Sequence, residues 1–199
     1  MKMNNSEPEA NLTKSQTMPQ TNSSLPPTRR AHVVSNVRHL KAIKIEKILE
    51  LEQRQSPLRL LDVGAGSGGI AQYFGSHISG RFSVDAVDVT DSRETVENYS
   101  FQVVRDTTLP FPDNSFDVVI SNHVIEHVGN EQAQRHHLSE LRRVLKPDGV
   151  GYFAVPNRWM LVEPHYKLAF LSWLPHKLRS RYLKLFKGIG FYDCEPLTL

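Results

Sequence analysis

"LLDVGAGSGGIA", residues 60–71, is the stretch on which the reading of this chain turns. An apolar run ends in four glycines within six positions, Gly64, Gly66, Gly68 and Gly69. Glycines at the end of a strand let bare backbone approach a ligand, since no Cβ intervenes and positive φ carries no steric cost. Two spacings fit. Gly64, Gly66 and Gly69 spell GxGxxG, the strand–turn–helix fingerprint that holds a dinucleotide pyrophosphate. Gly64, Gly66 and Gly68 instead follow an acid, Asp62, as DxGxGxG. A dinucleotide fold places an apolar residue where Asp62 stands, and a carboxylate there has to be satisfied by turn amides or by a cationic group of a ligand. A tight turn with no ligand is the plainest alternative.

Outward from the turn, short β-rich runs alternate with helical patterns: Leu58–Val63, Ser83–Val87, Phe101–Val104, Phe116–Ser121 and Val150–Val155. Parallel strands need crossover connections, so this alternation predicts an α/β fold with a parallel sheet and crossover helices. A helix is predicted over 131–145 with Leu138, Leu141, Val144 and Leu145 on its buried face, stopped by Pro147, Asp148 and a left-handed Gly149. His136 and His137 then fall on its surface. Another helix, within 31–53, carries Val34, Val37, Leu40, Ile43, Ile45, Ile48, Leu49 and Leu51 at steps of three and four. Residues 1–30 are polar, with scattered Leu and Met only, and are expected to form a disordered tail.

A chain of 199 residues with 39% hydrophobic content can bury one ordinary core but is short for two. The single cysteine, Cys194, excludes an internal disulfide and a cysteine-rich metal site. No apolar run approaches the roughly 20 residues of a membrane span, and no h-region follows Lys2. A cytoplasmic location is therefore expected. The net charge of +3 is mild and the basic residues form no interleaved stripe in the strand-forming segments, so nucleic acid is not an expected partner.

Three further features bear on the ligand. Asp88 ends the second predicted strand, where a carboxylate can accept from both hydroxyls of a ribose. "RDTTLPFPDNSFDVVISNHVIEHV", residues 105–128, places Asp106 at the close of the third strand, and "ELRRVLKPDGVGYFAVPNR", residues 140–158, follows in order. Taken together, residues 60–157 resemble a class I S-adenosylmethionine-dependent methyltransferase of the type 11 group, which includes the ubiquinone and menaquinone methyltransferases. The resemblance implies a Rossmann-like three-layer sandwich, a mainly parallel sheet in strand order 3-2-1-4-5, and S-adenosyl-L-methionine as cofactor. It also implies that Asp62, Gly64, Ala65, Gly66, Ser67 and Gly68 surround the amino-acid part of the cofactor. Asp88, with Val89 beside it, would take the ribose, Asp106 and Thr107 the adenine, and Asn122 and His123 would face the methyl-bearing sulfonium. The methyl acceptor would be a small or lipid-like molecule. A nicotinamide-dependent oxidoreductase is disfavoured by Asp62 and by Asp106 before LPF, and a non-catalytic cofactor-binding protein is the remaining alternative.

His123, Glu126 and His127 read HxxEH, an inverted zinc-protease pattern, but no third ligand is evident. Some similar quinone O-methyltransferases place a metal at ExxEH, and His123 replaces the first glutamate here, so no metal is expected. His123 or His127 could serve as a general base, or either could be a structural group near the site. Beyond the resemblance, residues 158–199 form a basic, aromatic helical segment. Its stripe of Leu178, Tyr182, Leu185 and Phe186 reads first as a packed helix, then as a lid over an apolar substrate, and last as a peripheral membrane contact through 165–187. Arg158, Glu163, His165 and Tyr166 are the acceptor-side candidates. Similar domains continue with a further helix and an antiparallel strand pair, so the chain is expected to be C-terminally truncated or to leave its fifth strand at an exposed edge.

Overall fold

The computed structural model describes residues 35–76, 80–157, 159–163, 165–192 and 194. The predicted tail at 1–30 and the candidate Arg158 lie outside these residues. In chain order the elements are α1 (Ser35–Ile48), β1 (Leu58–Val63), α2 (Gly69–Gly75), β2 (Phe82–Asp88), β3 (Ser100–Val103), β4 (Phe116–Asn122), α3 (Glu131–Val144) and β5 (Leu145–Ala154). A short antiparallel ribbon, β6 (Val162–Glu163) with β7 (Leu168–Ala169), and α4 (His176–Lys187) follow.

Strands β1 to β5 pair in parallel, in the order β3-β2-β1-β4-β5, as the sequence predicts. Two-residue periodicity gives the central strands β1 and β4 two apolar faces. Leu58 and Leu60 of β1 join Ala42, Ile45, Ile70 and Phe74 of α1 and α2 in one core cluster. Leu61 and Val63 join Leu141 and Val144 of α3 in the other. The result is a Rossmann-like three-layer sandwich. A separate small cluster, Leu171, Leu183, Tyr192 and Cys194, holds the segment after β5.

Several expectations need correction. Among the described residues only α2 and α3 serve as crossover helices. β2 reaches β3 by a loop, because residues 89–99 carry no apolar stripe, and Arg93 instead lies 4.0 Å over the Phe101 ring. The third strand ends at Val103, so Asp106 sits in the following loop. Helix α3 stops at Val144, and Leu145 is already extended (φ −76, ψ 133). Lys146 precedes a proline, which disfavours helical backbone, and its ammonium bonds Asp117 at 2.8 Å. Gly149 does not adopt positive φ; a Cβ there would come within 2.7 Å of Leu145 Cδ1.

The helix faces also differ. Leu138 is exposed, and α3 buries Gln134, His137, Glu140, Leu141 and Val144. His137 is thus a core residue, 2% exposed and 3.2 Å from Ser121 Oγ. In α1, Val37, Leu40 and Ile48 face outward while Ala42, Ile45 and Glu46 are buried, Glu46 accepting from Tyr73 Oη at 2.6 Å. Of the α4 stripe, Leu178, Leu185 and Phe186 are exposed, and Arg179 and Leu183 turn inward. β5 pairs with β4 alone among the described residues, with Phe153 half exposed, which is the open edge expected.

Candidate functional site

The glycine turn follows the DxGxGxG spacing. Gly64, Gly66 and Gly68 all have positive φ (+77, +54 and +81), whereas Gly69 is the first residue of α2 and does not. Gly69 is small for another reason: a Cβ there would lie 2.8 Å from Arg38 Cβ on α1. The turn is braced from β2, since Val87 O accepts from the amides of Gly64 (2.8 Å) and Ala65 (3.1 Å). Asp88, buried at the end of β2, accepts from Gly66 N at 2.8 Å and Val89 N at 2.7 Å. On the other side, Ser67 O accepts from the amides of Glu94 and Thr95.

Beneath this turn lies an unresolved charge. Asp62 is 1% exposed, and its Oδ2 accepts no hydrogen bond among the described residues. Burial pushes its carboxyl up to about 7; Arg38 opposes that shift and the charge of Asp88 adds to it. The buried Nε of Arg38 likewise has no hydrogen-bond partner among those residues. A cationic and an anionic orphan over a left-handed glycine turn suit a zwitterion carrying both an ammonium and a carboxylate. That is the chemistry of the methionine end of S-adenosylmethionine, so the residues present fit the group.

The other carboxyl-terminal strand ends contribute further polar atoms. Val104 N donates to Asp88 O, which brings the β3 end beside the turn. Asp106 is exposed and accepts from Thr108 N at 2.7 Å, a bond that lowers its pKa, while Thr107 Oγ1 lies 2.7 Å from His136 Nδ1. Asn122 ends β4, buried, with its Oδ1 accepting no hydrogen bond among the described residues. His123 follows in a left-handed conformation (φ +59), exposing its imidazole with Nδ1 3.4 Å from Glu126 Oε1. Val124 closes over the turn, in contact with the position a Gly64 Cβ would take.

A second cluster forms where the loop after β4 meets the segment after β5. Glu163 accepts from His165 Nδ1 at 2.7 Å and from Tyr166 N at 2.6 Å, so three acceptor-side candidates do come together. His165 packs edge-on to His127, ring centroids 5.3 Å apart. His127 Nδ1 in turn lies 3.9 Å from Cys194 Sγ. Arg38, His137 and Cys194 are additions to the residues singled out in the sequence.

Fold and turn together define a Rossmann-like sandwich, the fold shared by known S-adenosylmethionine-dependent methyltransferases. Residues 61–153 match the family model described as "Methyltransferase domain". An uncharacterized methyltransferase of Bacillus subtilis, YcgJ, is 36% identical over 115 residues, which are 54% of this chain and 41% of the relative. The ubiquinone biosynthesis O-methyltransferase of Rickettsia akari is 30% identical over 173 residues, 77% of this chain and 65% of that protein. A SAM-dependent methyltransferase from Aquifex aeolicus shares the fold, with a TM-score of 0.53 at 18% identity over 76% of this chain and 81% of its own. The chain thus spans less than two thirds of the length of the two curated relatives.

Proposed function

We propose that this chain binds S-adenosylmethionine at the glycine turn and transfers its methyl group to a small-molecule or lipid-like acceptor. The observation that carries this reading is that Asp62 Oδ2 and Arg38 Nε, both buried beside the left-handed turn of Gly64, Gly66 and Gly68, have no hydrogen-bond partner among the described residues. The cofactor supplies an activated methyl group, and the protein's task is alignment, worth up to about 7–11 kcal/mol in favourable cases. Asp62 takes the ammonium and Arg38 the carboxylate. Asp88, held at the end of β2 by the amides of Gly66, Val89 and Thr90, meets the ribose hydroxyls, with Val89 beside it, while Asp106 and Thr107 border the adenine. Asn122 and His123 stand at the methyl end, and His123, exposed and close to Glu126, removes a proton where the acceptor starts protonated. Glu163, His165 and Tyr166 form the acceptor side.

A lipid-like acceptor is favoured by the outer surface of residues 159–191. Trp159, Phe170, Trp173, Leu185 and Phe186 are exposed there among Lys177, Arg181, Lys184 and Lys187. Apolar and basic groups mixed in this way suit an anionic membrane surface, and co-sedimentation with phosphatidylglycerol vesicles but not with phosphatidylcholine vesicles is the expected result.

Cofactor binding is tested by calorimetric titration. Asp88→Ala is expected to weaken S-adenosylmethionine by about 1–3 kcal/mol and Arg38→Ala by about 1.5–3 kcal/mol, through lost hydrogen bonds to a hydroxyl pair and a carboxylate respectively. Equal affinity in either variant removes that residue from the site. A labelled-methyl screen against cell extracts, with the product identified by mass, names the acceptor. Binding with no labelled product would favour the non-catalytic alternative.

A further inference from the structure

The candidate at which the sequence shows no third metal ligand acquires one in three dimensions. Ligand atoms of His127, His165 and Cys194 all lie within 4.8 Å of one another, although they come from three separated segments of the chain. Two of the three, His165 and Cys194, stand beyond the segment that matches the methyltransferase family. We propose that these three side chains hold a zinc-class cation, with a fourth position left for water or a substrate group.

Chemistry and geometry agree on the class. Two imidazoles and a thiolate form a borderline-soft set that suits zinc, and a hard oxygen-seeking cation would not select them. With Zn–N near 2.0–2.1 Å and Zn–S near 2.3 Å, tetrahedral ligands stand about 3.3–3.6 Å apart. The 3.9 Å between His127 Nδ1 and Cys194 Sγ is close to that spacing. The other separations need to close by up to about 1.5 Å.

Two independent features point into the cluster. Glu126 is 1% exposed, and neither of its oxygens accepts a hydrogen bond among the described residues. Oε1 stands 3.9 Å from His165 Nε2, and Glu126 lines the same small cavity as His165, Glu163, Ser172, Tyr192 and Cys194. With His123 Nδ1 also 3.4 Å from Oε1, this carboxylate adds negative potential beside the cluster, which favours a cation there. The second feature is the His165 Nδ1–Glu163 bond, at 2.7 Å. A carboxylate on Nδ1 orients the imidazole, the usual support behind a metal-bound histidine. A zinc ion here would tie the end of β4 to the segment beyond β5, where only a small apolar cluster otherwise holds that segment.

The proposal makes no assumption about the methyl acceptor, and its test reads the metal directly. Full-length protein desalted after exposure to zinc is expected to retain one equivalent by atomic emission. Cobalt(II) in its place should give intense tetrahedral visible bands and a near-ultraviolet thiolate-to-cobalt charge-transfer band. Cys194 is the only cysteine in the chain, so that band has a single assignment. Cys194→Ser should abolish it. His165→Ala should weaken cobalt affinity at least tenfold, while the S-adenosylmethionine affinity of both variants, read separately, reports that the domain is folded. No retained zinc, or a weak octahedral cobalt spectrum without the charge-transfer band in the unaltered protein, overturns the site.

Discussion

Gly68→Ala is expected to lower the stability of the protein by about 2–5 kcal/mol, a fall of roughly 5–15 °C in Tm for a chain of this size. Two costs add. Gly68 has φ +81, a conformation in which an L side chain meets its own backbone. The new Cβ would also lie 2.6 Å from the Thr95 carbonyl oxygen and against the Tyr99 hydroxyl, and the carbonyl belongs to backbone that cannot simply rotate away. Gly188→Ala separates the two costs, because Gly188 has a similar φ of +69 with nothing within 4 Å of the added Cβ. That control should lose only about 1–2 kcal/mol. Gly66→Ala is intermediate: its nearest neighbour, Arg38 Nη2 at 3.5 Å, is the end of a flexible side chain, so it should disturb cofactor affinity more than folding. Denaturant unfolding of the three variants checks the order. Equal losses at Gly68 and Gly188 would show that contact with Thr95 contributes nothing.

The same glycines show which parts of the molecule were legible in the sequence. The alternating apolar runs sufficed for a parallel α/β sheet and Asp62 for the DxGxGxG spacing, because buried strands and left-handed glycines leave a direct one-dimensional trace, while the strand order came from the family resemblance. Helix faces were less legible. Leu138 and His137 are neighbours on α3, yet the histidine is buried and the leucine exposed, since Ser121 on β4 offers the imidazole a partner. Arg38 carried no signal at all: it is one basic residue among several on α1, and only the packing of that helix against Gly69 brings it to the turn. The histidine–cysteine cluster was hidden for a related reason. Its members are separated by 38 and 29 residues, with no ligand-type spacing between them, and they converge only because the chain after β5 folds back onto the end of β4.

Two buried groups give opposite pH dependences, and removing either should expose the other. Asp62 is raised to about 7 from an ordinary value of 3.8, so the native state bears no penalty below pH 3.8 and loses stability as pH rises to about 7. At roughly 1.4 kcal/mol per unit the loss is on the order of 4 kcal/mol. His137 runs the other way. Desolvation, with the neighbouring His136, depresses it to about 4 from 6.5, so its contribution is complete above pH 6.5 and is lost as pH falls toward 4, on the order of 3 kcal/mol. The unaltered, cofactor-free protein should therefore show little net change from these two groups between pH 4.5 and 6.5. Asp62→Asn should become steadily more stable over that interval and exceed the unaltered protein at pH 8. The cofactor then couples to the same proton. Pairing with an ammonium favours ionised Asp62, so binding at pH 6 should release close to one proton, and affinity should rise as pH approaches 7. Calorimetry at pH 6 in buffers of different ionisation enthalpy reads that proton directly. Asp62→Asn should bind more weakly and release none. Proton-neutral binding by the unaltered protein would mean that the buried carboxylate does not meet the cofactor's ammonium.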